Sequence, residues 1–184
     1  MKKLIRTASV VGLLCGGAVL LAGCYESDGS IVSDYESIMP LKTGHYCQYD
    51  FLDEQRTWDT TCHDVTIASP SANTYVVTDS DASTVYTVHI DGKPLESGDL
   101  AGNYITEACW DDATDGKGCY VGTIKVFDNQ TFHWVYPACS SPDDGAAAAD
   151  PCRIDSEATA RSEFLNAARW STDDLRKYVW QAAL

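Results

Sequence analysis

Residues 171–184, STDDLRKYVWQAAL, set the fold class of this chain. Ser171-Thr172-Asp173-Asp174 reads as a capping box, in which an N-cap hydroxyl and a carboxylate three residues on satisfy the orphan amides that open a helix. Behind it, Leu175, Tyr178, Val179 and Ala182 recur at i, i+3, i+4 and i+7, a single apolar stripe on the helical period. Residues 156–169, SEATARSEFLNAAR, are rich in helix formers and predict another helix immediately upstream. Two C-terminal helices after a run of strands predict an α+β fold.

The run of strands is legible from period-two alternation. Tyr86, Val88 and Ile90 share one face, as do Tyr120, Ile124 and Val126, and then Phe132, Trp134 and Tyr136. Asp128-Asn129-Gln130 makes a tight turn that sets Ile124 opposite Trp134, Val126 opposite Phe132 and, on the outer face, Lys125 opposite His133. Strands are predicted near residues 45–52, 57–67, 74–79, 84–91, 103–110, 119–127 and 131–137, so about seven in all. The architecture expected is α+β: an antiparallel β meander, closed like a barrel or covered by the C-terminal helices, and stapled by disulfides. The aromatic ladders are read first as core, and second as the lining of a ligand cavity.

The staples are Cys47, Cys62, Cys109, Cys119, Cys139 and Cys152. Pairing each with its sequence neighbour suits the local patterns. A turn at Glu54 and Gln55 puts Phe51 opposite Trp58, Tyr49 opposite Thr60 and Cys47 opposite Cys62. Asp115-Gly116 turns the chain between Cys109 and Cys119, and a loop rich in small residues joins Cys139 to Cys152. His45, His63 and the thiols raise the rival of a zinc site, but no C-x-x-C pair is present, and no metal is expected.

At the other end of the chain, Lys2, Lys3 and Arg6 precede an uncharged apolar run, Val10 to Gly23, that contains Cys15 and is too short to span a bilayer comfortably. It closes on Leu21-Ala22-Gly23-Cys24, which resembles the lipobox of bacterial lipoproteins. The resemblance covers residues 1–24 alone. It implies a signal peptide of residues 1–23, cleavage before Cys24, and diacylglycerol and N-acyl chains on that cysteine, a stable anchor because more than one chain is buried. With Tyr25 rather than an Asp after the modified residue, the resemblance points to the outer rather than the inner membrane of a bacterial envelope, outside the cytosol where thiols oxidise. Residues 24–40 then form a lipidated, acidic tether, whose Ile31, Val32 and Ile38 offer a docking alternative, and residues 41–184 one globular domain.

Loss of residues 1–23 removes three basic side chains and no acidic one, leaving 10 Lys and Arg against 27 Asp and Glu, a formal charge of −17. Such a surface repels phosphate backbones, so nucleic acid is not an expected partner. Catalytic motifs are scarce: the chain shows no G-x-S-x-G, no H-E-x-x-H and no phosphate loop. His45, His63, His89 and His133 are scattered over predicted strands, and no catalytic residue is assigned. Asp111-Asp112-Ala113-Thr114-Asp115-Gly116 resembles a calcium loop only superficially, with Ala113 and Gly122 where ligands belong.

Three functions compete on this basis. The leading expectation is a non-enzymatic, membrane-anchored binding module without cofactor, its acidity suited to a basic protein partner or surface component. The next is a small-ligand carrier, whose signature is a closed barrel with an empty interior. The third is a hydrolase whose acid, base and nucleophile converge only on folding.

Overall fold

The structure, a computed structural model, describes residues 23–33, 36–52, 55–80, 84–112, 116–139, 152–166 and 175–184. Its strands are β1 (Gly23–Ser27), β2 (Gly44–Leu52), β3 (Thr57–Trp58), β4 (His63–Ser71), β5 (Thr74–Asp79), β6 (Thr84–Pro94), β7 (Tyr104–Asp112), β8 (Gly116–Asp128), β9 (Thr131–Val135), β10 (Ala138–Cys139) and β11 (Leu175–Ala182); its helix is α1 (Glu157–Asn166). Eight strands run antiparallel in the order β8-β7-β6-β5-β4-β2-β11-β9, and β9 pairs back onto β8 to close a barrel. β1 and β10 lie outside this ring, with β1 on the edge of β8.

The expected α+β class is therefore corrected to a mostly β fold. Residues 175–182, predicted as a helix, form the strand that closes the barrel, paired with β2 on one side and β9 on the other. The apolar spacing fits a helix, but Arg176, Tyr178 and Trp180 also alternate with Lys177 and Val179, and Tyr, Val and Trp favour a pleated surface. Without this segment β2 and β9 would each expose an edge of unpaired amides and carbonyls; pairing on both sides satisfies them and overrides the local helical pattern. The capping-box residues 171–174 lie outside the described residues. The upstream helix does form, as α1, with the Ser156 hydroxyl accepting from the Thr159 amide at 3.2 Å as its N-cap.

All seven predicted strand regions carry strand, and the β8–β9 hairpin has the predicted register, Ile124 with Trp134, Lys125 with His133 and Val126 with Phe132. The first hairpin follows prediction only at its tip. Phe51 faces Trp58, but residues 59–62 leave the ladder, so that Cys47 pairs with Asp64 in β4 rather than with Cys62. The Cys47–Cys62 disulfide forms across this break, and Cys109–Cys119 links directly paired residues of β7 and β8. Cys152 is also disulfide-bonded, whereas the side chain of its expected partner, Cys139, lies outside the described residues, as do Glu54 and the middle of the acidic loop, residues 113–115.

Two apolar clusters share the barrel wall. The inner one packs Tyr46, Ile67, Tyr75, Ile90, Ile124 and Phe132 at one end. The segment before β2 stops that end: the Tyr75 hydroxyl accepts from the Leu41 amide at 2.7 Å and donates to its carbonyl at 2.9 Å, while the Tyr46 hydroxyl donates to Lys42 O at 2.6 Å. The outer cluster is built on Ile105 and Val121, covered by Tyr25, Val32, Ile154, Ala160 and Phe164. Arg161 fixes α1 there, its guanidinium reaching the fully buried Asp91, the Lys93 carbonyl at 2.8 Å and Glu157 at 2.8 Å. Within the stretch read as a tether, Tyr25 to Ser27 pair with β8, Val32 is buried, and the Ile38 amide donates to Ile90 O at 2.8 Å.

A cavity inside the barrel

An eight-stranded barrel has an interior just wide enough to be filled by side chains or to hold one small ligand. Here the end opposite the Leu41 stopper keeps a cavity of about 280 Å³. The faces predicted from alternation point into it: Tyr86 and Val88 from β6, Tyr120 from β8, and Trp134 with Tyr136 at and after β9. Tyr178 and Arg176 of β11, Gln48 of β2, Val65 of β4, and Val77 and Asp79 of β5 complete the wall with Ala108.

The space exists because small residues stand where rings crowd. Ala108 of β7 carries one methyl, and Gly122 of β8 carries none; a Cβ there would lie 2.7 Å from Val135 O, 3.1 Å from Tyr136 Cδ1 and 3.3 Å from Trp134 Nε1. The rings lean over that glycine instead. Trp134 and Tyr136 stack at 5.7 Å between centroids, Tyr120 meets Tyr136 edge-on at 6.1 Å, and Trp110 covers Tyr120 at 4.5 Å. Deeper in, Tyr178 stacks on Phe132 at 4.6 Å, which joins the cavity wall to the packed end.

Polar groups are few and grouped. On the inner wall Arg176 pairs laterally with Asp50 on β2 and with Trp134 on β9. The nearest approach of Arg176 to Asp50 is Nε at 3.9 Å, beyond hydrogen-bond reach, and Asp50 accepts from Gln48 Nε2 at 3.2 Å. Arg176 hydrogen-bonds Tyr178, whose phenol burial pushes up to about 12, so it stays neutral at physiological pH. Trp134 is 4% exposed, and its Nε1 is the one buried side-chain polar atom among the described residues without a hydrogen-bond partner. A dry, unpaired N–H costs free energy unless something accepts from it.

The remaining expectations fall elsewhere. His89 Nδ1 lies 2.9 Å from Glu107 Oε1, and His89 Nε2 lies 3.5 Å from Thr74 Oγ1, a hydroxyl–imidazole–carboxylate order that a hydrolase would need. The three stand on the outer face, however, with His89 8% and Glu107 0% exposed, and none of them lines the cavity. Glu107 instead holds residues 30–32, accepting from the Ser30 hydroxyl, the Ile31 amide at 2.7 Å and the Val32 amide at 3.2 Å. His45 approaches Asp64 at 3.7 Å on the surface. His133 sits on the outer wall between Trp58 and Phe127, at 4.8 and 4.6 Å, and burial with Lys177 and Lys125 pushes it down to about 4.

Among the described residues the cluster with ligand atoms in reach of one another is Glu107, Cys109 and Cys119, and both of its sulfurs are spent in the disulfide. A second depression of about 470 Å³ lies outside the barrel between the end of β6 and α1, where Arg161 is engaged by Asp91 and Glu157. No described helix is long and apolar enough to cross a membrane.

The cavity was legible in part: the alternation gave its aromatic faces, whereas Arg176 lay in the mispredicted helix and Gly122 carried no signal of its own. No protein-family model, curated protein or solved structure matches the chain.

Proposed function

We propose that this protein is a lipid-anchored component of a bacterial envelope that holds a small, largely aromatic molecule inside its barrel. One observation carries the reading: a closed eight-stranded barrel is packed at one end and lined at the other by Tyr86, Tyr120, Trp134, Tyr136 and Tyr178 around about 280 Å³. An apolar cavity of about 150 Å³ suffices for benzene, so this one suits a ligand of about two fused rings. The anchor rests on the Leu21-Ala22-Gly23-Cys24 pattern. Tyr25, the residue that follows, belongs to the cluster on the outer face, apart from the cavity. A basic protein partner has net charge as its sole support, and the cavity is the more specific feature.

Two experiments test the two halves. Titration of the full chain with 2-naphthol, a neutral bicyclic phenol, followed by tryptophan fluorescence, gives a saturable 1:1 curve that Ala108→Phe abolishes while circular dichroism stays unchanged. Non-saturating quenching that is the same in both proteins would remove the carrier reading. Radioactive palmitate labels the wild-type chain and not Cys24→Ser; label retained by the variant, or absent from both, would remove the anchor.

A further inference from the structure

Resting on the carrier reading, we infer that the ligand is an aromatic acid: one or two fused rings bearing a carboxylate that Arg176 and Trp134 receive side by side. The juxtaposition is set by register. Arg176 and Trp134 are direct partners across β11 and β9, and both face inward. Residues opposite each other in adjacent strands stand about 5 Å apart at Cβ, a spacing that two donors can bridge to the oxygens of one carboxylate.

Each donor has capacity to spare. The guanidinium presents five N–H groups, and its contacts include the hydrogen bond to Tyr178, the 3.9 Å approach of Nε to Asp50 and the Tyr136 ring at 5.7 Å from Cζ. The terminal nitrogens, the part of arginine that grips carboxylates in bidentate fashion, are not the atoms nearest Asp50. On the paired position of β9, Trp134 keeps an unpartnered indole N–H, which lies over Gly122. A ligand lacking an acceptor would leave that N–H dry; a carboxylate satisfies it and neutralises the guanidinium at once.

The remaining wall fits the rest of such a molecule. Tyr86, Tyr120, Tyr136 and Tyr178 offer ring faces, and Val65, Val77 and Val88 apolar surface. Two acids stand near the cavity: Asp50 on β2 beside Arg176, 3.9 Å from its Nε, and Asp79 on β5. The carboxylate then meets the terminal nitrogens of Arg176, and the rings lie against Tyr86 and Tyr120.

Isothermal titration of the full chain at pH 7.5 with 2-naphthoate and with 2-naphthol compares identical rings with and without the carboxylate. The inference predicts 1:1 binding of 2-naphthoate at least about tenfold tighter than 2-naphthol, as one charge-assisted hydrogen bond supplies. Arg176→Met levels the two ligands. If 2-naphthol binds wild type as tightly as 2-naphthoate, the ligand class is wrong and the carrier reading stands. If neither binds, both fall. The wild-type comparison decides even if Arg176→Met does not fold.

Discussion

Replacing Glu107 by leucine removes the acceptor that ties the N-terminal segment to the barrel, and the structure sets the size of the effect. The carboxylate is fully buried and receives four donors: the Ser30 hydroxyl, the Ile31 and Val32 amides, and His89 Nδ1. Left in place without it, each donor would cost about 1–3 kcal/mol, which exceeds what residues 30–32 gain by staying. The chain escapes by lifting that segment into water, and it then loses the burial of Val32, 2% exposed, worth roughly 1.5–3 kcal/mol, together with its hydrogen bonds. The net loss should be about 3–5 kcal/mol, the range for breaking a buried, hydrogen-bonded charge. At about 2–4 °C per kcal/mol for a chain of this size, Tm falls by about 10 °C. Urea denaturation measures the loss, and limited proteolysis with a glutamyl endopeptidase reads the lifting as faster cleavage after the exposed Glu36. Glu107→Gln, which keeps one acceptor oxygen, should fall in between. A loss under about 1 kcal/mol with unchanged cleavage would refute the claim that this carboxylate clamps the segment.

Other perturbations read other parts of the molecule. His133 is held down to about 4 against an ordinary 6.5 by burial and by Lys177 and Lys125, so protons favour the unfolded chain. Its contribution is complete above pH 6.5 and is lost as pH falls towards 4; with screening at a half-buried site it amounts to about 1–2 kcal/mol. Imidazole NMR should give the low value and show it rising in Lys177→Gln. Removing the 15-residue loop closure by Cys47→Ser with Cys62→Ser should lower stability by about 2–3 kcal/mol, read as a shift of the urea midpoint. Gly122→Val places atoms 2.7 Å from Val135 O and against Trp134 and Tyr136; overpacking of this kind costs about 1–3 kcal/mol and should also abolish 2-naphthol binding.

What the sequence disclosed depended on how local the deciding contacts are. The β8–β9 register was readable because a short turn leaves little freedom between Ile124 and Trp134. The tip of the first hairpin was readable for the same reason, but nothing local showed that residues 59–62 leave the ladder and shift Cys47 onto Asp64. β11 defeated sequence reasoning because Leu175, Tyr178, Val179 and Ala182 satisfy the helical period while Tyr178 and Trp180 satisfy the strand period. The choice is made by the two open edges, β2 and β9, which are distant in sequence. The aromatic faces of the cavity were visible as ladders, but core and cavity give the same alternation. The difference is made by the small residues Gly122 in β8 and Ala108 in β7, which pair with Thr106 and Tyr120, and by Arg176, whose inward position needs the strand. The Glu107 clamp joins residues 75 to 77 apart and left no pattern to read.

The central claim is that β11 closes a barrel whose interior receives a ligand at Trp134. Nitrogen-15 NMR of the tryptophan indoles, with Trp134 assigned through Trp134→Phe, tests both parts in one titration with 2-naphthoate. The account predicts that the Trp134 indole N–H moves downfield and saturates at one equivalent while the Trp58 indole on the outer wall stays in place. A Trp134 signal that does not move, or that moves together with Trp58 and without saturation, would contradict it.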